Sequence, residues 1–370
     1  MKEKFVSFFK KETVFVISGL AALLSAFFVH PSIIYVDYID FKVIGLLFSL
    51  MMAVEGLRQE GTFEVISQKL LRLGNSVRFI SFVLVIICFF LSMLVTNDVA
   101  LITMVPFTFT LLDFISEKRM IFIVVMETVA ANLGSMLTPI GNPQNLYLYS
   151  FYNLDAWEFF AVTLPVCAVS LLAITATMFI VRTQRMKIVF DVEVSIKDRR
   201  RFLLNLFVFF ICILTVGHML DYRVMLIIAL CLGFLFQPRL LIKVDYFLLM
   251  TFIFFFVFVG NMGQIPQVRE AVFSLIQGRE FLVGLGLSQV ISNVPAAVML
   301  STFTDNYKAL ILGTDIGGLG TLVASLASLI SFKFYSRRKG ARTRLYLLVF
   351  TGANVAYLVL LGGAAYFLLL

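Results

Sequence analysis

Apolar stretches of roughly 17 to 25 residues, the length a helix needs to cross the hydrocarbon core of a bilayer, follow one another from Thr13 to the C-terminus. Short polar and charged segments separate them, and none leaves space for a water-soluble domain. The pattern predicts crossings over 13–34, 39–57, 119–150, 157–181, 202–219, 222–237, 245–262, 306–335 and 345–369, about nine in all. Two further apolar stretches, 77–95 and 98–116, meet at the polar triplet Thr96, Asn97 and Asp98 with no loop between them. A second such pair, within 280–305, turns at Ser292, Asn293, Val294 and Pro295.

Charge decides how these pieces thread. Lys2, Lys4, Lys10 and Lys11 open the chain; Arg58, Lys69, Arg72 and Arg78 follow, then Lys118 and Arg119. Arg182, Arg185, Lys187, Lys197 and Arg199 to Arg201 form a longer block, Arg239 and Lys243 a short one, and Arg337, Arg338, Lys339, Arg342 and Arg344 the last. Lys and Arg concentrate on the cytosolic side of membrane proteins, so an even number of crossings must separate any two blocks. A re-entrant hairpin over 77–116, entering and leaving on the cytosolic side, brings Arg78 and Lys118 together and keeps this parity along the chain. The N-terminus is then cytosolic and the C-terminus outside. The hairpin 280–305, its mouth at Arg279, Glu280 and Asp305, lies outside with the loop holding Asp155 and Glu158.

Composition sharpens the class. The 370 residues are 61% hydrophobic and 14% charged, against about 25% charged in soluble domains. The formal charge of +8 sits in the cytosolic blocks and does not point to nucleic acid. Cys88, Cys167, Cys212 and Cys231 lie inside apolar stretches without a CxxC pair, so neither disulfides nor structural zinc is expected. The apolar run from Thr13 ends in His30 and Pro31 without a small-residue cleavage motif, which predicts an uncleaved first span. The glycine-rich GTDIGGLGT is no phosphate loop, since no Lys-Ser or Lys-Thr follows.

Two segments repeat one plan. In 39–181 a span ends in VEGLRQEG, followed by a surface segment, a hairpin tipped by TND, and a span interrupted at Thr138, Pro139, Ile140, Gly141, Asn142 and Pro143. In 220–370 a span ends in VGNMG, followed by a surface segment, a hairpin tipped by SNV, and a span interrupted at Thr314, Asp315, Ile316, Gly317 and Gly318. Thr-x-Ile-Gly aligns with Thr-x-Ile-Gly, and the crossing count gives the halves opposite orientation, the signature of an inverted-topology repeat. Residues 1–38 hold the N-terminal tail and first span, and 182–219 a basic cytosolic linker with a connecting span. The expected fold is an all-α integral membrane protein, an inverted-repeat transporter with two re-entrant hairpins and two broken helices.

Backbone polar groups in hydrocarbon survive only where protein or a wet cavity satisfies them. Two matched pairs of bends therefore predict a midplane site, where helix N-termini face an anion while unwound carbonyls and helix C-termini hold a cation. The amides of Asn97 and Asn293 suit both tasks, and the hydroxyls of Thr96 and Ser292 add ligands for a hard cation such as sodium.

The stretches TNDVALITMVP, NLGSMLTPIGNPQNL and SQVISNVPAAVML resemble motifs of the ion transporter superfamily. It includes divalent-anion/sodium symporters, citrate-transporter-like permeases, arsenite export permeases and NhaD-type sodium/proton antiporters. The resemblance covers most of 39–335. In the symporters the tips read Ser-Asn-Thr and the break reads Thr-Pro-x-Gly-Thr-Pro; these residues bind sodium and substrate in a homodimer that supports elevator-like movement. The resemblance implies a half-site of Thr96, Asn97, Thr138, Gly141 and Asn142, and a second of Ser292, Asn293, Thr314 and Gly317. The third tip residue, Thr in the symporters, is Asp98 or Val294 here, and Asn142 replaces the Thr of the break. A carboxylate beside the pocket repels a dicarboxylate unless it is protonated, which counts against a succinate-like substrate, and the Asn-Asp tip looks more like the arsenite and antiporter branches.

An intramembrane carboxylate costs at least about 2.5 kcal/mol at the centre of a span. Asp98 therefore reads as a proton carrier or cation ligand, against the alternative of an N-cap for the hairpin's second arm. Asp315 has the same alternatives, as a sodium ligand or proton carrier or as a cap for the helix after the break. Glu127, in FIVVMETVAANLG, is a third proton-coupling candidate, against a protein-facing hydrogen-bonded carboxylate. Glu55 snorkels to water, and His218 is a solvated loop residue.

The expected function is secondary active transport of a small carboxylate or inorganic oxyanion, coupled to a sodium ion or proton by alternating access, with no other cofactor. The alternatives are a sodium/proton antiporter using Asp98 and, more distantly, an intramembrane aspartyl protease with Asp98 and Asp315 as its dyad. The partners expected are the solute, the lipid of a cell membrane and, by resemblance, a second copy of the chain.

Overall fold

A computed structural model describes residues 12–72, 76–185 and 193–368. Lys2, Lys4, Lys10, Lys11 and Lys187 lie outside the described residues. The described residues build helices and no strand, with one isolated bridge between Ser76 and Arg185. Helix α1 (Thr13–Ser25) ends well short of the predicted span, and turns lead to the short α2 (Ile34–Asp37). Asp40 caps α3 (Phe41–Gln59), which is followed by the amphipathic α4 (Thr62–Leu71).

The first hairpin is α5 (Val77–Val95) and α6 (Asn97–Leu111), with Thr96 alone between them. The broken helix after it is α7 (Glu117–Ser135) and α8 (Pro143–Phe151). A capping box of Asp155 and Glu158 starts α9 (Ala156–Met178). Helices α10 (Arg199–Val216), α11 (Tyr222–Phe236), α12 (Pro238–Leu241), α13 (Tyr246–Gly263) and α14 (Pro266–Ile276) precede the second hairpin. That hairpin is α15 (Glu280–Ile291) and α16 (Asn293–Ser301), turning on Ser292. The second broken helix is α17 (Tyr307–Gly317) and α18 (Leu326–Ser336), and α19 (Thr343–Leu368) closes the chain.

Among the described residues four helices are long and apolar enough to cross a membrane: Val77–Val95, Ala156–Met178, Tyr246–Gly263 and Thr343–Phe367. Large apolar side chains stand on the surface, including Trp157 at 80% and Phe367 at 82% exposure. So much exposed aromatic and aliphatic surface suits hydrocarbon rather than water.

The ends of the helices sort into two regions. In one, Val77 N donates to Gln184 O (2.9 Å), Arg78 to Val181 O (2.6 Å) and Arg119 to the Gln184 side chain (3.1 Å). Arg338 there pairs with Asp113 and Glu117, and Lys197 and Asp198 bond Gln59 and Glu60. In the other region, Asn261 donates to Ser25 and Tyr35, Ser150 to Asp40, and Tyr152 to Thr304 O, while His218 bonds Leu154 O. Basic segments gather in the first region; both ends of the first hairpin meet there, beside the start of α7.

Packing follows the two halves and then exchanges between them. Helix α5 lies along α7 and α15 along α17, whereas α6 packs on α18 and α16 on α8. Each hairpin's first arm thus supports the broken helix of its own half, and its second arm lies between that helix and the other half's.

Candidate functional site

The hairpin tips are strained in the same way. Thr96 has φ 80° and ψ 146°, and Ser292 φ 80° and ψ 153°, a conformation almost confined to glycine. The strain lets the next helix start immediately, with its first N–H turned to the broken helix. Asn97 N donates to Gly141 O at 3.2 Å, and Asn293 N to Ala324 O at 3.0 Å.

Further bonds fix the correspondence between the halves. Thr138 Oγ1 donates to Met93 O, three residues before the first tip, and Thr321 Oγ1 donates to Gln289 O, three residues before the second. A Cβ at Gly134 would lie 2.0 Å from Phe89 O, and one at Gly317 2.8 Å from Ser288 Oγ, so each glycine lets the hairpin's first arm press against the broken helix. Thr138–Asn142 therefore matches Thr321–Ser325, and Gly134 matches Gly317. This corrects the alignment of the two Thr-x-Ile-Gly motifs. The second break does not fall at Thr314–Gly318: α17 continues through Gly317, and the unwound stretch is Gly318–Ser325.

The two halves meet through the residues that flank the breaks. Asp315, 3% exposed, accepts from Asn142 Nδ2 (3.2 Å) and Gln144 Nε2 (3.3 Å) on one oxygen and Asn145 Nδ2 (3.0 Å) on the other. Asn132, at the matching position of α7, accepts from Ser325 Oγ (2.9 Å) and donates to Ser328 Oγ (3.4 Å). Asn132 also accepts from the tip residue Asn97 (3.1 Å). Each broken helix thus grips the first turn of the other's second segment.

Thr96, Asn97, Thr138, Gly141 and Asn142 gather around the first break, and Ser292 and Asn293 around the second; the Asn142–Asp315 bond joins the two. Thr314 points elsewhere, its hydroxyl bonding Leu310 O and Ile311 O within α17. Gly317 serves packing, although its carbonyl accepts from Gln289 at 2.7 Å. No side chain caps α6, and Asp98 Oδ1 is buried without a hydrogen-bond partner. Asp315 does not cap the helix after its own break; it sits at the start of α8 instead. Glu127 is fully buried between α6 and α7, accepting from Thr108 on Oε1, with Oε2 unpartnered.

Asn132, Gln144, Asn145, Ser325 and Ser328 were not singled out from sequence. Aligning Thr138 with Thr321 instead of Thr314 sets Asn132 against Asp315, Asn142 against Ser325 and Asn145 against Ser328, with Gln144 opposite Ala327. Among the described residues no cluster of three or more His, Cys, Asp or Glu side chains is built for a metal; the oxygens at the breaks are those of amides, hydroxyls, carbonyls and Asp315. Two apolar cavities, of about 310 Å³ between α4 and α5 and about 500 Å³ between α3 and α11, are lined by residues such as Phe82 and Phe48, away from the breaks.

A family model described as citrate transporter matches residues 5–307. An uncharacterized transporter of Methanocaldococcus jannaschii is 35% identical over 299 residues, covering 80% of this chain and 81% of its own length. The inner membrane protein YbiR of Escherichia coli is 30% identical over 307 residues, 81% of this chain and 82% of its own. A 46 kDa membrane protein of Mycobacterium leprae is 24% identical over 395 positions, 94% of this chain and 91% of its own.

Proposed function

Because this chain belongs to the citrate transporter family, and is a multi-pass membrane transporter rather than an enzyme, we propose that it is a secondary active carrier for a small anion, coupled to sodium or protons. The carrier works through one site shared by two halves of inverted topology. The observation that carries this reading is the reciprocal bonding of the breaks, Asn142 to Asp315 and Ser325 to Asn132. A continuous pore has no use for it. Asn97, Asn142, Asn293 and Asp315 are each at most 5% exposed, which suits an occluded site opened to one side at a time.

Nine crossings, a cytosolic N-terminus and an outer C-terminus are part of the proposal. They are supported by the gathering of basic segments in one region and by the Arg78, Arg119 and Gln184 contacts at the first hairpin's mouth. The homodimer rests on family resemblance. The buried, unpartnered Asp98 Oδ1 favours a second reading, sodium/proton exchange, because a proton or cation there would satisfy it.

Uptake of labelled citrate and arsenite into proteoliposomes under imposed sodium or proton gradients tests the carrier. The expected result is accumulation that follows one gradient and falls in Asn97→Ala and Asn293→Ala. Flux indifferent to both gradients, or unchanged in those variants, overturns it. A proton signal driven by sodium without any anion selects the exchanger.

A further inference from the structure

Asp315 stands where an anion belongs. Its three N–H donors all come from the start of α8: Asn142 is that helix's N-cap residue, and Gln144 and Asn145 lie in its first turn. The helix dipole adds to their attraction for negative charge. Asn142 Oδ1 accepts from Asn145 N at 2.9 Å, which turns its NH₂ toward Asp315. Among the described residues no lysine, arginine or histidine pairs with Asp315. The donors alone hold the carboxylate.

Closure of the junction does not by itself call for a charge. At the matching place in the other half, neutral Asn132 closes on Ser325 and Ser328. The carboxylate at 315 is an addition, and the donor set facing it is that of a carboxylate receptor.

We propose that Asn142, Gln144 and Asn145 form a carboxylate cradle, that Asp315 occupies it as a tethered stand-in between transport events, and that a carboxylate of the solute takes its place. This rests on the carrier reading and narrows the solute class to carboxylates. Asn142 Nδ2 and Asn145 Nδ2 also donate to Ser135 Oγ (3.3 Å) and Met136 O (3.4 Å), so each keeps one bond in an emptied cradle; exchanging one carboxylate for another keeps the Gln144 donor and the second N–H of each asparagine paired as well. A displaced Asp315 has lost its donors and needs a cation beside it, which ties entry of the coupling ion to entry of the solute.

Asp315→Ala empties the cradle and leaves its donors in place. Thermal unfolding of the full-length protein in detergent, titrated with sodium formate against sodium chloride at matched ionic strength, reads the result. The expected outcome is a lowered Tm for the variant and a saturable rise with formate on the order of 3 °C. Wild type, its cradle filled, shows no such rise, and Asp315→Ala combined with Asn142→Ala loses it. A folded Asp315→Ala protein indifferent to formate, or wild type responding equally, overturns the proposal. Should the variant not be recovered in chloride, recovery when purified in formate supports the cradle; failure in both, with Asp315→Asn recovered, overturns it. No flux enters this measurement, so a failed cradle and a failed carrier are told apart.

Discussion

Asn142 Nδ2 donates to Asp315 Oδ1 over 3.2 Å, joining residues 173 positions apart in the chain. Its counterpart, Ser325 Oγ to Asn132 Oδ1 at 2.9 Å, joins residues 193 apart. One bond ends on a carboxylate and the other on an amide, and together they clasp the broken helices. Any motion that separates the second segment of one helix from the first segment of the other must open these bonds. In the proposed carrier, a solute bound beside them would couple to that motion.

Asn132 is the acceptor shared by Asn97 and Ser325. In Asn132→Ala both donors stay buried and lose it, and each unsatisfied group costs about 1–3 kcal/mol. Ser325→Ala leaves the Asn97 bond intact and costs roughly 1 kcal/mol. Thermal unfolding in detergent is expected to rank Asn132→Ala well below Ser325→Ala, with both below wild type.

Glycine relieves the tip strain. Thr96→Gly and Ser292→Gly each remove a conformation that costs on the order of 1–3 kcal/mol. Ser292 loses hydroxyl bonds to Ala324 O and Asn293 Oδ1 in exchange, whereas Thr96 makes none among the described residues. Thr96→Gly is expected to show the larger rise in Tm. On the proposed carrier reading, with these hydroxyls as solute or cation ligands, uptake is expected to fall in both variants.

A Cβ at Gly141 would lie 2.1 Å from Ser135 O, a backbone atom that cannot yield locally. Gly141→Ala is expected to shift the break, weaken the Asn97 N–H bond to Gly141 O, lower the Tm and abolish uptake. Gly286→Ala meets nothing within 4 Å, and helix propensity favours it by up to about 1 kcal/mol. It should unfold no earlier than wild type and transport normally.

Much of this architecture was legible because it is written in polarity. Thr96 and Ser292 interrupt long apolar runs at the positions where the hairpins turn, and Pro139, Asn142 and Pro143 mark the first break. The second break has no such marks: Thr321 to Ser325 reads Thr-Leu-Val-Ala-Ser, almost as apolar as a helix. The nearby Thr-x-Ile-Gly drew the alignment seven residues upstream, since a glycine that unwinds (Gly141) and one that permits close packing (Gly317) are the same letter. Gln144, Asn145 and Ser328 gain their roles only through partners in the other half, which one chain's local pattern does not reveal.

Glu127 illustrates the difference between buried and coupled. Its carboxyl accepts from Thr108 and makes no bond to either break. Glu127→Gln keeps an acceptor for Thr108, so uptake and its pH profile are expected to remain near wild type. Glu127→Leu strands the Thr108 hydroxyl and lowers the Tm. A lost or shifted pH profile in Glu127→Gln would instead make it a coupling residue.

Whether the two tips enclose one solute is read by cysteine accessibility. Cysteines are placed singly at Val99 and Val294, beside the tip asparagines and with no polar side chain to lose, in a chain whose Cys88, Cys167, Cys212 and Cys231 are replaced by alanine. A membrane-impermeant thiol reagent is applied to right-side-out and inside-out vesicles, with and without citrate. The account predicts that citrate shields both positions and that reversing the coupling-ion gradient changes the side from which they react. Free labelling of the two cysteines from opposite sides, indifferent to citrate and to the gradient, would contradict it.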